Sequence, residues 1–118
     1  ARAKAIGPEY AARSPETCLT SDSGVLLFTY LPGASRSLPL GSGTLSLHPD
    51  RMEFESEGGK VFSFSLSELS DISVQMRCRI EFCCAGSYYE VLPGSSSYSA
   101  LKYAQLIGAM NEKTRVMI

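Results

Sequence analysis

The chain has 118 residues, 44% of them apolar and 19% charged, with a formal net charge of −1. That length supports one compact domain around one core, and the composition is ordinary for a globular protein. The near-neutral balance excludes a strongly basic nucleic-acid binder and a disordered acidic tail, and no apolar run approaches the roughly 20 residues that span a bilayer.

Residues 1–17, ARAKAIGPEYAARSPET, are rich in Ala and broken by Gly7-Pro8 and Pro15. They read as a linker or the remnant of a preceding domain, and they lack the apolar centre of a signal peptide. A domain is expected over residues 18–113, with 114–118 as a C-terminal tail, in a chain that forms part of a larger protein.

Val25–Tyr30 is apolar and β-prone, which predicts a first strand. The following LPGASRSLPLGSG predicts a long loop or a ragged strand edge, its middle pinned by Leu38 and Leu40. From Gly43 to His48, Leu45 and Leu47 alternate with Thr44 and Ser46, the period of a half-buried strand. Pro49-Asp50 suits the centre of a type I turn. Arg51–Ser56 alternates again, with Met52 and Phe54 inward. Gly58-Gly59 predicts a two-residue hairpin with both glycines at positive φ, and Glu57 facing Lys60. Phe62, Phe64 and Leu66 form the next apolar face, then Ile72, Val74 and Met76. In RCRIEFCC, Cys78, Ile80, Phe82 and Cys84 face one way, and Arg79, Glu81 and Cys83 the other. Ala85-Gly86-Ser87 predicts a turn into a last strand, Tyr88–Leu92.

The period then becomes helical. Ala100, Tyr103, Ile107 and Met110 share one stripe, Ser96 or Ser97 is the expected N-cap, and Lys113 and Arg115 suit the C-terminal end of the dipole. The order is thus about seven antiparallel strands and one amphipathic helix.

This order resembles the pleckstrin-homology-like superfold, a bent antiparallel sheet or barrel capped by a C-terminal helix. Within it, GTLSLHPDRMEFES is similar to the strand–turn–strand of the GRAM and bacterial PH-like branch. FSFSLSELSDISVQ is similar to the segment that follows, with Leu69, Asp71 and Ile72 at its Leu-x-Asp-Ile connection. The resemblance covers about Gly24 to Asn111 and rests mainly on order and spacing. It implies a binding or positioning module rather than an enzyme, acting on a protein partner or an adjacent domain. A membrane-surface or lipid-headgroup module is the alternative. The family's headgroup binders carry a basic cluster between the first two strands, and this chain offers only Arg36 there.

The candidate anion or lipid-headgroup contacts are therefore Arg36, Lys60, Arg77 and Arg79, with the two later arginines expected on one outer strand face. Ser46, His48 and Asp50 are the residue types of a hydrolase triad, which would make a small β-barrel enzyme a second alternative. Each link of a triad needs about 3 Å, whereas alternate Cα atoms on a strand stand nearly 7 Å apart (about two strand rises), so no catalytic residue is expected. Neither metal nor cofactor is expected. Of Cys18, Cys78, Cys83 and Cys84, the adjacent pair points to opposite faces and cannot easily clasp one ion. Reduced thiols in the cytoplasm are expected, peripheral membrane attachment and a disulfide from Cys18 staying open.

Overall fold

The computed structural model describes residues 16–30, 37–95 and 97–118. The predicted linker through residue 15, Arg36 and Ser96 lie outside the described residues.

Eight strands form a single sheet among the described residues. These are β1 (Thr20–Tyr30), β2 (Ser37–Leu47), β3 (Arg51–Ser56), β4 (Val61–Ser65), β5 (Leu69–Gln75), β6 (Arg79–Cys84), β7 (Ser87–Pro93) and β8 (Arg115–Met117). Helix α1 (Ala100–Met110) lies between β7 and β8. The order is β4-β3-β2-β1-β7-β6-β5-β8, so β1 joins two runs of hairpins. Every pairing is antiparallel except β5 with β8.

Alternation explains which face is inside. Val25, Leu27, Leu45, Leu47, Met52 and Phe54 are wholly buried, each followed by a half-buried or exposed neighbour. Burying each such side chain contributes about 1.5–3 kcal/mol before entropy is counted. The Phe64 and Phe82 rings meet edge to face at 4.9 Å between centroids. Their strands, β4 and β6, are far apart in the sheet order, so the sheet bends over itself to enclose the core. Register shifts at Asp22/Val25 and Leu27/Phe28 interrupt the β1–β2 ladder, and such irregularities bend strands. Among the described residues β4 is not paired with β8, so the sheet is bent but not closed.

Helix α1 covers one end of this bend. Tyr103, Ala104 and Ile107 are fully buried on its inner stripe. The Tyr103 hydroxyl donates to the Leu45 carbonyl and to Asp22, tying helix to sheet.

Several expectations are corrected. The first strand begins at Thr20, and residues 37–42, expected as a long loop or a ragged strand edge, belong to β2. Leu38 is exposed there, and Leu40 packs on the core. The β3–β4 turn holds three residues, closed by Ser56 N–H to the Lys60 carbonyl at 2.8 Å. Only Gly59 takes a positive φ (89°), as in a type I turn followed by a bulge glycine. Met76 is not an inward strand residue: it and Arg77 form the β5–β6 turn with φ of 52° and 68°. Cys83, expected outward, is buried. Ser99 precedes the helix and makes no side-chain cap; the Ala100 N–H instead donates to the Arg77 carbonyl at 2.8 Å. The helix ends at Met110 with Asn111 as its C-cap, and Arg115 is in β8, within the segment expected to be a C-terminal tail.

Candidate functional site

The three described members of the expected basic set stand on different elements. Arg77 sits on the β5–β6 turn, exposed and without an ion pair among the described residues. Lys60 follows the β3–β4 turn, where its Nζ lies 5.0 Å from the Phe62 ring centroid; no ion pair with Glu57 forms. Arg79 faces across β6 and β7, bonded to Glu81 at 2.8 Å and to the buried Glu90.

Arg79 therefore neutralises carboxylates rather than waiting for an anion. Burial works to lower its pKa, but the Glu90 hydrogen bond and the Glu90 and Glu81 charges together raise it. Tyr30 donates to Glu90 Oε1 at 3.0 Å, and its pKa is raised by burial first and by Glu90 second. Glu90 is 4% exposed, and this double engagement is what makes a carboxylate tolerable there.

Ser46 and His48 come closer than strand spacing suggests. Ser46 Oγ lies 3.4 Å from His48 Nε2, because both side chains lean together from one strand face. His48 Nδ1 lies 3.1 Å from the Thr17 carbonyl oxygen, so the tautomer protonated at Nδ1 satisfies both contacts. Asp50 does not complete a triad: it binds Arg51 at 2.8 Å. That contact is the leading cause of the raised Arg51 pKa. The pair thus pins the segment before β1 to the β2–β3 hairpin, alongside the Leu19 N–H to Leu47 carbonyl bond of 2.8 Å. Among the described residues, no three His, Cys, Asp or Glu side chains converge as metal ligands. Cys18, Cys78, Cys83 and Cys84 are free thiols, and burial raises the Cys84 pKa.

A concavity lies among residues that form no recognisable motif. A groove of about 770 Å³ opens between the β5–β6 turn, the start of α1 and the end of β8. Val74, Met76, Leu101 and Ile118 supply its apolar wall. Asp22, Arg77, Ser97 and Ser99 supply polar groups, and Tyr98 its floor. Met76 is 82% and Ile118 76% exposed, so the wall is largely solvated. Asp22 is held by Lys102 Nζ at 2.7 Å and by the Tyr103 hydroxyl at 2.6 Å. Burial, then the Asp22 hydrogen bond, pushes Tyr103 far above the usual tyrosine range; Tyr98, whose hydroxyl binds the Val91 carbonyl, is raised chiefly by burial. Of the three described basic contacts, Lys60, Arg77 and Arg79, only Arg77 lines this groove. Alternation placed Met76 inside, so sequence reasoning missed the groove; two consecutive non-glycine residues at positive φ carry no residue-type signal.

Comparison with protein-family models and with curated proteins gave no match to this chain. No helix among the described residues is long and apolar enough to cross a membrane.

Proposed function

We propose that the chain is a pleckstrin-homology-like module without catalytic activity, which positions a larger protein by binding an extended segment of a protein partner or adjacent domain. The strand order, with β1 between β2 and β7 and a helix packed at the end of the sheet, supports the superfold reading. One observation carries the binding mode. β8 already adds to the β5 edge, pairing Asp71, Ile72 and Ser73 with Arg115, Val116 and Met117. β5 continues through Val74 and Gln75, for which no ladder partner on that side is found among the described residues, and the groove lies alongside Val74. An incoming strand would pair with the free edge and place alternate apolar side chains against Met76 and Leu101. An acidic residue would meet Arg77.

Selection of random decapeptides against the wild-type chain tests this. Enriched peptides are expected to alternate apolar residues around an acidic one, and Met76→Ser and Arg77→Glu are each expected to weaken them about tenfold, or 1.4 kcal/mol. Binders indifferent to both substitutions would overturn the mode.

The exposed Met76 and Ile118 beside Arg77 favour a second reading, a membrane-surface module. It requires salt-sensitive co-sedimentation with phosphatidylserine vesicles, and its absence eliminates that reading.

A further inference from the structure

The outer face of β1, β7 and β6 holds a second cavity, separate from the groove. Tyr30 pairs with Tyr88 and Phe28 with Glu90 across β1 and β7. Glu90 in turn pairs with Glu81 across β7 and β6. Alternation places all of them opposite the core face that carries Leu27, Ile80 and Val91. Tyr30, Tyr88 and Glu81 line a cavity of about 350 Å³ between them.

Its two aromatic walls differ in how they are held. The hydrogen bond to Glu90 fixes the Tyr30 ring. Tyr88 is 56% exposed, and its side chain makes no hydrogen bond or ring contact among the described residues. A large aromatic in water with no partner is an available π face.

The electrostatics specify what such a cavity takes. Among the described residues one guanidinium, Arg79, serves two carboxylates, Glu81 and Glu90, so these groups together keep a negative charge. The next charged pair on this sheet, Asp71 and Arg115, is of opposite signs and is matched in register. All four carboxylate oxygens of the cluster are already engaged. Glu81 accepts from Arg79 and from the Gln75 amide at 3.3 Å; Glu90 accepts from Tyr30 and Arg79. The site therefore offers uncompensated charge and π faces but few free acceptors. A primary ammonium would leave N–H donors poorly satisfied there, and a metal ion would lack ligands. A cation without N–H groups, weakly hydrated and apolar at its surface, suits both conditions.

We propose that the Tyr30–Tyr88–Glu81 cavity binds a quaternary ammonium group, of which choline is the simplest probe. This site is independent of the strand-binding groove.

The test titrates the full chain with choline and, separately, with 3,3-dimethylbutan-1-ol, its uncharged carbon isostere, following side-chain NMR signals. Choline should shift Tyr30, Tyr88 and Glu81, while the isostere at equal concentration leaves them unmoved. Tyr88→Ala, at an exposed position, and Glu81→Gln, which keeps shape, should each weaken choline at least fivefold. A parallel arm uses phosphatidylcholine vesicles. Co-sedimentation that free choline and Tyr88→Ala abolish places the group on a lipid, and choline binding without co-sedimentation places it on a soluble ligand. Equal binding of the isostere, no shift with choline, or undiminished affinity in Tyr88→Ala overturns the proposal.

Discussion

At the scale of single residues, the most consequential position is Glu90. Sequence alternation places a glutamate at an outward strand position, which ordinarily means solvent. Here Arg79, Tyr30 and the neighbouring side chains enclose it. Removing one partner of an enclosed ion pair costs more than the pair contributes, because the remaining charge stays desolvated. Arg79→Met should therefore destabilise the fold by about 3 kcal/mol, discounted toward 2 for the partly exposed guanidinium. Arg79→Met combined with Glu90→Leu should recover most of that loss. Urea unfolding of the two single variants and the double variant gives the coupling directly. Additive losses would mean that the pair is not a unit. The same geometry removes Arg79 from the roster of free anion contacts, leaving Arg77 and Lys60 as the described cations of that group without a carboxylate partner.

At the scale of elements, α1 is held against β8 by a missing side chain. A Cβ added at Gly108 would stand 2.9 Å from Val116 Cγ2, closer than real Cβ contacts occur. Glycine inside a helix costs about 1 kcal/mol relative to alanine, so a packing reason for it is expected. β8 is short and pairs in parallel, the weaker ladder, so it is the element that yields. Gly108→Ala should leave the core intact but speed amide exchange at the β5–β8 ladder, with no gain in stability. Adding Val116→Ala makes room, and the helix-propensity gain should then partly reappear. Unchanged exchange along that ladder in Gly108→Ala would show that β8 does not depend on this approach. The prediction also bears on the binding mode, because a displaced β8 lengthens the free edge of β5.

At the scale of the whole molecule, what was legible in the sequence is what period-two alternation encodes. The inward faces of β2, β3 and β6, the Pro49-Asp50 turn and the buried helix stripe all follow from side-chain spacing. Three things did not. The start of β2 reads as a loop or a ragged strand edge because Pro39 and Gly41 favour turns, although a register shift at Leu27/Phe28 accommodates them within paired strands. β8 reads as a tail because three residues carry no period. The groove arises only where the β5–β6 turn, the start of α1 and the end of β8 meet, and the outer cavity only where β1, β7 and β6 pair.

The bend of the sheet also sets how the fold fails in alkali. Tyr98 and Tyr103 both lie inside it, and both are raised above the ordinary tyrosine value of 10.0. In the unfolded chain each ionises near pH 10. Above that pH the unfolded state sheds protons that the folded state keeps, so unfolding becomes more favourable. The contribution of these hydroxyls is fully present below pH 10 and is lost as pH climbs toward their folded values. Each should cost up to about 1.4 kcal/mol per pH unit over that window. Tyr103→Phe separates this effect from general alkaline damage. Loss of the bonds to Asp22 and Leu45 should leave it about 1 kcal/mol less stable than wild type at pH 8. It no longer has that ionisation to lose, so its deficit should close above pH 10 and vanish by about pH 11. Urea midpoints measured from pH 8 to pH 11 decide it. A deficit that stays constant across that range would mean that Tyr103 ionises as easily in the fold as outside it.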